Sequence, residues 1–137
     1  MIGLLVLAST RAFAGPAVAD EIAARSGLPA SEVNALLRDC DSSQTSMNFC
    51  AWRDQIVAER ELQRIVDKQV SEQPRRKAAL DARMAKWKKA RDTSCEKSAR
   101  HAWGEGSMRP AAQAICATAA TKEMAKRLSA SAFRKSS

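Results

Sequence analysis

Four cysteines, Cys40, Cys50, Cys95 and Cys116, constrain this chain more than any other feature, because little else in it can hold a fold together. Beyond residue 19, Leu, Ile, Val and Phe number only 16 among 118 residues, whereas Ala alone supplies 22. That large-apolar share lies below the roughly 20% at which a strongly charged chain tends to stay disordered. Cross-links are the expected source of the missing constraint. No Cys-x-x-Cys pair occurs and His101 is the single histidine, so the thiols lack the spacing of a zinc site. Four cysteines allow three pairings. Joining sequence neighbours, Cys40–Cys50 and Cys95–Cys116, closes loops of 11 and 22 residues. Each closure contributes roughly 3 kcal/mol in the chain-entropy account. A hairpin turning near residues 72–73 would also bring Cys50 level with residue 95, so Cys50–Cys95 stays open as an alternative.

The N-terminus points to the compartment in which such bonds form. Ile2–Ala8 is a short apolar segment, far below the roughly 18 residues of a membrane span. Two small-x-small sites follow it, ending at Ala14 and Ala19. Residues 1–19 are expected to be a signal peptide, cleaved after Ala19 or after Ala14, although no Lys or Arg precedes the apolar segment. No cysteine stands directly behind it to take a lipid. Export to the periplasm or the medium is the expectation, and it agrees with disulfide chemistry.

The rest reads as helix: no Tyr, five Gly, four Pro, and an abundance of Ala, Arg, Lys, Glu and Gln. Residues 20–38 form a short helical hairpin broken at Gly27-Leu28-Pro29, with Gly27 suited to a left-handed C′ position. Residues 39–46 are polar and turn-prone, and Thr45 or Ser46 can cap the helix that follows. That helix runs from Met47 to about Val70, with Cys50, Val57, Ala58, Leu62, Ile65, Val66 and Val70 at helical spacing. After a turn at 71–74, a second long helix covers roughly 75–103, with Leu80, Met84, Trp87, Arg91, Cys95, Ser98 and Ala102 on one face. Gly104-Glu105-Gly106 ends it, and Ser107 can cap a last helix with Ile115, Cys116, Ala119, Ala120, Met124 and Leu128 along its stripe. The expected fold is all-α: a disulfide-stapled antiparallel helical bundle around two long helices, with the main domain over 39–129 and a frayed basic tail at 130–137.

Charge is unevenly placed. Residues 20–74 carry a net −4, residues 75–100 a net +7, and residues 122–137 a net +4. Clustered Lys and Arg can bind phosphates. The simpler expectation is that the acidic 47–70 helix lies beside the basic one and partly neutralises it, with the cations surrounding the helix instead of forming one stripe.

A family resemblance rests on specific residues. Cys40 and Met47-Asn48-Phe49-Cys50 are followed by Ala58-Glu59-Arg60-Glu61-Leu62-Gln63, where an Ala-Asp-x-x-Leu-Asn segment is usual. Trp87, Arg91, Asp92 and Cys95 give an intact Trp-x3-Arg-Asp-x2-Cys, and Gly106-Ser107, Cys116, Thr121 and Leu128 continue the pattern. Val66, Met84 and Met124 depart from it, standing where an aromatic, a Gln and an Arg are usual. Over residues 40–128 the chain resembles the lysozyme-inhibitor-like domain of the LprI type, a family of exported helical domains. The resemblance implies lysozyme inhibition as the activity. Independently of it, Trp87 and Arg91 stand i and i+4 on one face, so the guanidinium can stack on the indole. With Asp92 they form an expected structural unit. Residues 21–37 also look like a helix-turn-helix, with Ala23, Gly27 and Val33 at its small, turn and packing positions. A helical hairpin with Gly at its corner shares that pattern, and Arg25 and Arg38 are the only cations in 20–38.

No nucleotide loop, nucleophile elbow or His-containing triad is present, so no catalytic residue, cofactor or metal ligand is assigned. The expectation is a secreted or periplasmic binding module, not an enzyme. Its partner is lysozyme or another cell-wall enzyme, with Asp54, Glu59, Glu61, Asp67 and Glu72 as the candidate acidic surface. The alternative partner is an anionic envelope surface, lipid head groups or cell-wall polymer, met by the basic helix. A cytosolic helix-turn-helix protein binding nucleic acid is the least favoured reading.

Overall fold

The computed structural model describes residues 17–135. The apolar core of the expected signal peptide and the Ala14 cleavage site lie outside them. Five α-helices and no strand occur among the described residues: α1 (Val18–Ser26), α2 (Ala30–Arg38), α3 (Gln44–Glu72), α4 (Lys77–Trp103) and α5 (Arg109–Lys135). A single 3₁₀ turn, Pro74–Arg76, joins α3 to α4. Both disulfides join sequence neighbours, Cys40 to Cys50 and Cys95 to Cys116, so the Cys50–Cys95 alternative is not realised.

The breaks follow local chemistry. Gly27 takes a left-handed conformation at φ 77° and its N–H reaches the Ala23 carbonyl, ending α1 as a glycine C′ residue does. α3 starts three residues before the expected Met47, because its N-cap is Ser43, whose hydroxyl accepts from the Ser46 N–H. Neither Thr45 nor Ser46 is the cap. Gly104, at φ 55°, ends α4. α5 begins at Arg109, two residues past the expected Ser107 cap, and runs through the expected frayed tail to Lys135.

The three long helices run up, down and up, and α5 packs along both α3 and α4. One cluster joins Leu62 and Val66 of α3, Leu80 of α4, and Met124 and Leu128 of α5. At the opposite end of α3, Ala51 meets Ala111 and Ala114, where small side chains let α3 and α5 approach closely. The α1–α2 hairpin lies on α3 through Ile22, Val33 and Ile56, with Val18, Leu37, Phe49 and Trp52 packed around them. An ion pair between Arg60 and Glu21 adds to that contact. The hairpin therefore shares its core with α3, and one of its two cations, Arg25, is paired within α1 to Glu21.

The expected stripes need three corrections of phase. In α3, Ile56 is buried and its neighbour Val57 is 49% exposed. In α4, Ala99 is buried, whereas Ser98 and Ala102 are exposed. In α5 the inward stripe is Ala111, Ala114, Ala117, Thr118, Thr121, Met124 and Leu128, while Ile115 is 59% exposed and Ala119 faces solvent.

Candidate functional site

Arg91 is charged and has almost no water around it: its side chain is 1% exposed. It stands on α4 four residues after Trp87, so both project from one face. The guanidinium carbon lies 5.3 Å from the Trp87 ring centroid, within cation–π range. Nη1 donates to Thr121 Oγ1 at 2.9 Å and pairs with Glu59 Oε1 at 2.9 Å. Nε and Nη2 both donate to one oxygen of Asp92, at 2.9 and 2.7 Å. The Thr121 hydroxyl itself donates to the Ala117 carbonyl at 2.6 Å, so it serves Arg91 as an acceptor. One guanidinium thus ties α3, α4 and α5 together. A charge buried this deeply is tolerated because its fork meets carboxylates and a hydroxyl on every side.

Beside this unit α3 and α4 leave a groove of about 360 Å³. Leu62, Val66, Met84 and Trp87 supply apolar lining, and Glu59, Asp81, Lys88 and Arg91 add charge. Its volume falls in the range of small-ligand clefts. Sequence patterning placed Trp87 and Arg91 on one face correctly. Thr121 carried a signal as a hydroxyl at a spacing shared with Ala114, Ala117, Met124 and Leu128. Glu59 was expected on the acidic surface, but no local pattern pairs it with Arg91, since that contact depends on the packing of two helices.

The five expected acidic positions do not converge. Glu59 opens into the groove and is held by Arg91. Asp67, at twice helical spacing from Glu59, accepts from Gln63 Nε2 at 2.8 Å. Asp54, Glu61 and Glu72 fall on the other side of α3, set 7 and then 11 residues apart. There Asp54 pairs with Arg53 and Glu61 with Arg64. Two of the five acids are thus balanced by arginines of α3 itself, and Glu59 by Arg91 of α4. The neutralisation expected across α3 and α4 is slight: among the described residues, Glu59–Arg91 is the ion pair that joins them. Lys77 finds its partner within α4. Its pKa is raised by hydrogen bonding and charge attraction to Asp81, with a smaller contribution from Asp67.

Among the described residues no helix is long and apolar enough to cross a membrane, and no group of three or more His, Cys, Asp or Glu is placed to hold a metal ion. No curated protein and no solved structure matches the chain. The family model described as lysozyme inhibitor LprI matches residues 38–128. That span contains both disulfides, the Trp87–Arg91–Asp92 unit and the groove, and the chain belongs to the LprI lysozyme inhibitor family.

Proposed function

We propose that this protein is an exported, non-catalytic module that binds and inhibits a lysozyme or a related cell-wall enzyme. The observation that carries the reading is the family match over residues 38–128, which covers α3, α4 and most of α5. The α3–α4 groove is the surface assigned to the partner: an apolar lining with polar groups at its edge can seat a protruding side chain. Its carboxylate Glu59 is committed to Arg91, which suits holding better than proton transfer.

Charge sets the salt dependence. The chain has a net charge of +8, and the paired acids of α3 offer no concentrated negative field. Encounter with a basic lysozyme is therefore opposed by long-range repulsion, which salt screens. A turbidity assay with the oxidised protein should show stronger inhibition at physiological than at low salt. Ala85→Arg, an exposed position on the groove wall, should abolish it without altering the fold. Absence of inhibition at both salt concentrations would overturn the reading, and full inhibition by the Ala85→Arg variant would move the site elsewhere.

A further inference from the structure

The outer face of α4 does something the groove does not use. Arg83, Lys86, Lys89, Lys97 and Arg100 lie within about a third of the helix circumference, directed away from the side that carries Leu80, Arg91 and Cys95. All five are exposed. The acids of α4 stand elsewhere around the helix, and their nearby partners are already chosen: Asp81 pairs with Lys77, Asp92 with Arg91 and Glu96 with Arg100. Among the described residues, Arg83, Lys86, Lys89 and Lys97 form no ion pair. Cations surround the helix as expected, but Lys77 and Arg91 are paired with carboxylates and Lys88 lines the groove. What remains is a straight row about 21 Å long from Arg83 to Lys97, at 1.5 Å per residue.

We infer that this row is a docking surface for a flexible linear polyanion, a chain bearing closely spaced phosphate groups. Its attraction for such a chain is the release of counterions condensed on the polymer. A lipid surface fits less well. Helices that lie in a membrane interface bury large apolar side chains between their cations. Here the interposed positions are Ala79, Ala82, Ala90 and Thr93, all small and exposed. The exposed Trp103 stands one turn-pair beyond Glu96, on that acidic side of the helix. The inference does not rest on lysozyme inhibition, since the row lies outside the residues that line the groove.

The test is binding of the oxidised protein to fluorescently labelled long-chain polyphosphate and to poly-glutamate across a salt series. Four free cations predict a log–log salt slope of about −3 at roughly 0.7 per contact for a single-stranded polyelectrolyte. The triple variant Lys86→Gln, Lys89→Gln and Lys97→Gln should flatten that slope by about 2 and lose most of the affinity. A control variant with the same loss of charge on α5, Lys122→Gln, Lys126→Gln and Arg134→Gln, should bind nearly as the parent does, and both variants should keep any lysozyme inhibition. Binding to polyphosphate supports the inference, and tighter binding to poly-glutamate than to polyphosphate would overturn it. Equal losses in the two variants would overturn it, because net charge alone would then explain the binding. No binding to either polymer, or tighter binding to phosphatidylglycerol vesicles than to both, would overturn it as well.

Discussion

Arg91 commits its whole guanidinium to the protein. Two carboxylates, a hydroxyl and an indole face take up its fork, and together they come from three helices. Removing it should therefore cost more than the loss of one surface ion pair, which is worth roughly 0–1 kcal/mol. Breaking a buried pair from one side typically costs about 3–5 kcal/mol, because the partner is left desolvated and unmatched. Glu59 keeps 23% of its side-chain surface exposed, and Asp92 half, so the lower end applies. Arg91→Ala is expected to lower unfolding free energy by about 3 kcal/mol in a denaturant titration. Arg91→Lys should fall between that variant and the parent, since an ammonium keeps the charge but not the planar fork. A loss below 1 kcal/mol for Arg91→Ala would show that the unit is not structural. The stacking of Arg91 on Trp87 was legible in their spacing along one helix. Its pairing with Glu59 and Thr121 was not, since no local pattern records which turns of separate helices will touch.

At the scale of the helix, the errors of phase share one cause. Periodicity arguments send the largest apolar residue inward, yet in this chain alanine is the commonest core residue. Ile115 is turned out because α5 meets α3 through Ala111 and Ala114, and a close helix–helix approach leaves no room for a branched side chain there. Val57 and Ile56 are adjacent and similar, so the pattern along α3 cannot choose between them. The α1–α2 hairpin chooses, by seating Ile22 and Val33 on Ile56. The C-terminal ends of α1 and α4 were better specified, since Gly27 and Gly104 act through their own backbone conformations. The start of α1 bears on processing. Val18 and Ala19 belong to the first turn and pack against the Ile22 cluster. Cleavage after Ala19 would strip them from the core, whereas cleavage after Ala14 leaves the helix whole. An intact-mass measurement on exported protein should find a chain beginning at Gly15; a chain beginning at Asp20 would contradict this.

For the whole molecule the question is what holds α4. Its first half is anchored by Leu80, Met84 and Trp87 in the cluster shared with Leu62, Val66 and Leu128. Beyond Trp87 its buried positions are Arg91, Cys95 and Ala99, with no large apolar side chain among them. At roughly 25 cal/mol per Å² of apolar surface, a lone alanine anchors little. Beyond Arg91, the Cys95–Cys116 bond therefore bears most of the attachment of α4 to α5. Cys40–Cys50 has more help, since α2 is already seated on α3 through Val33 and Leu37. The two bonds should differ in consequence. Replacing Cys95 and Cys116 together by Ser is expected to cost about 3 kcal/mol or more, and at least as much as replacing Cys40 and Cys50, whose loop is shorter. Reducing both bonds should lower the melting temperature by about ten degrees or more for a domain of this size. Local opening should begin in residues 92–103, which amide hydrogen exchange of the Cys95→Ser, Cys116→Ser variant would reveal as early loss of protection there while α3 stays protected. Unchanged melting after reduction, or uniform loss of protection along α4, would show that packing and not the disulfide holds the second half of the helix.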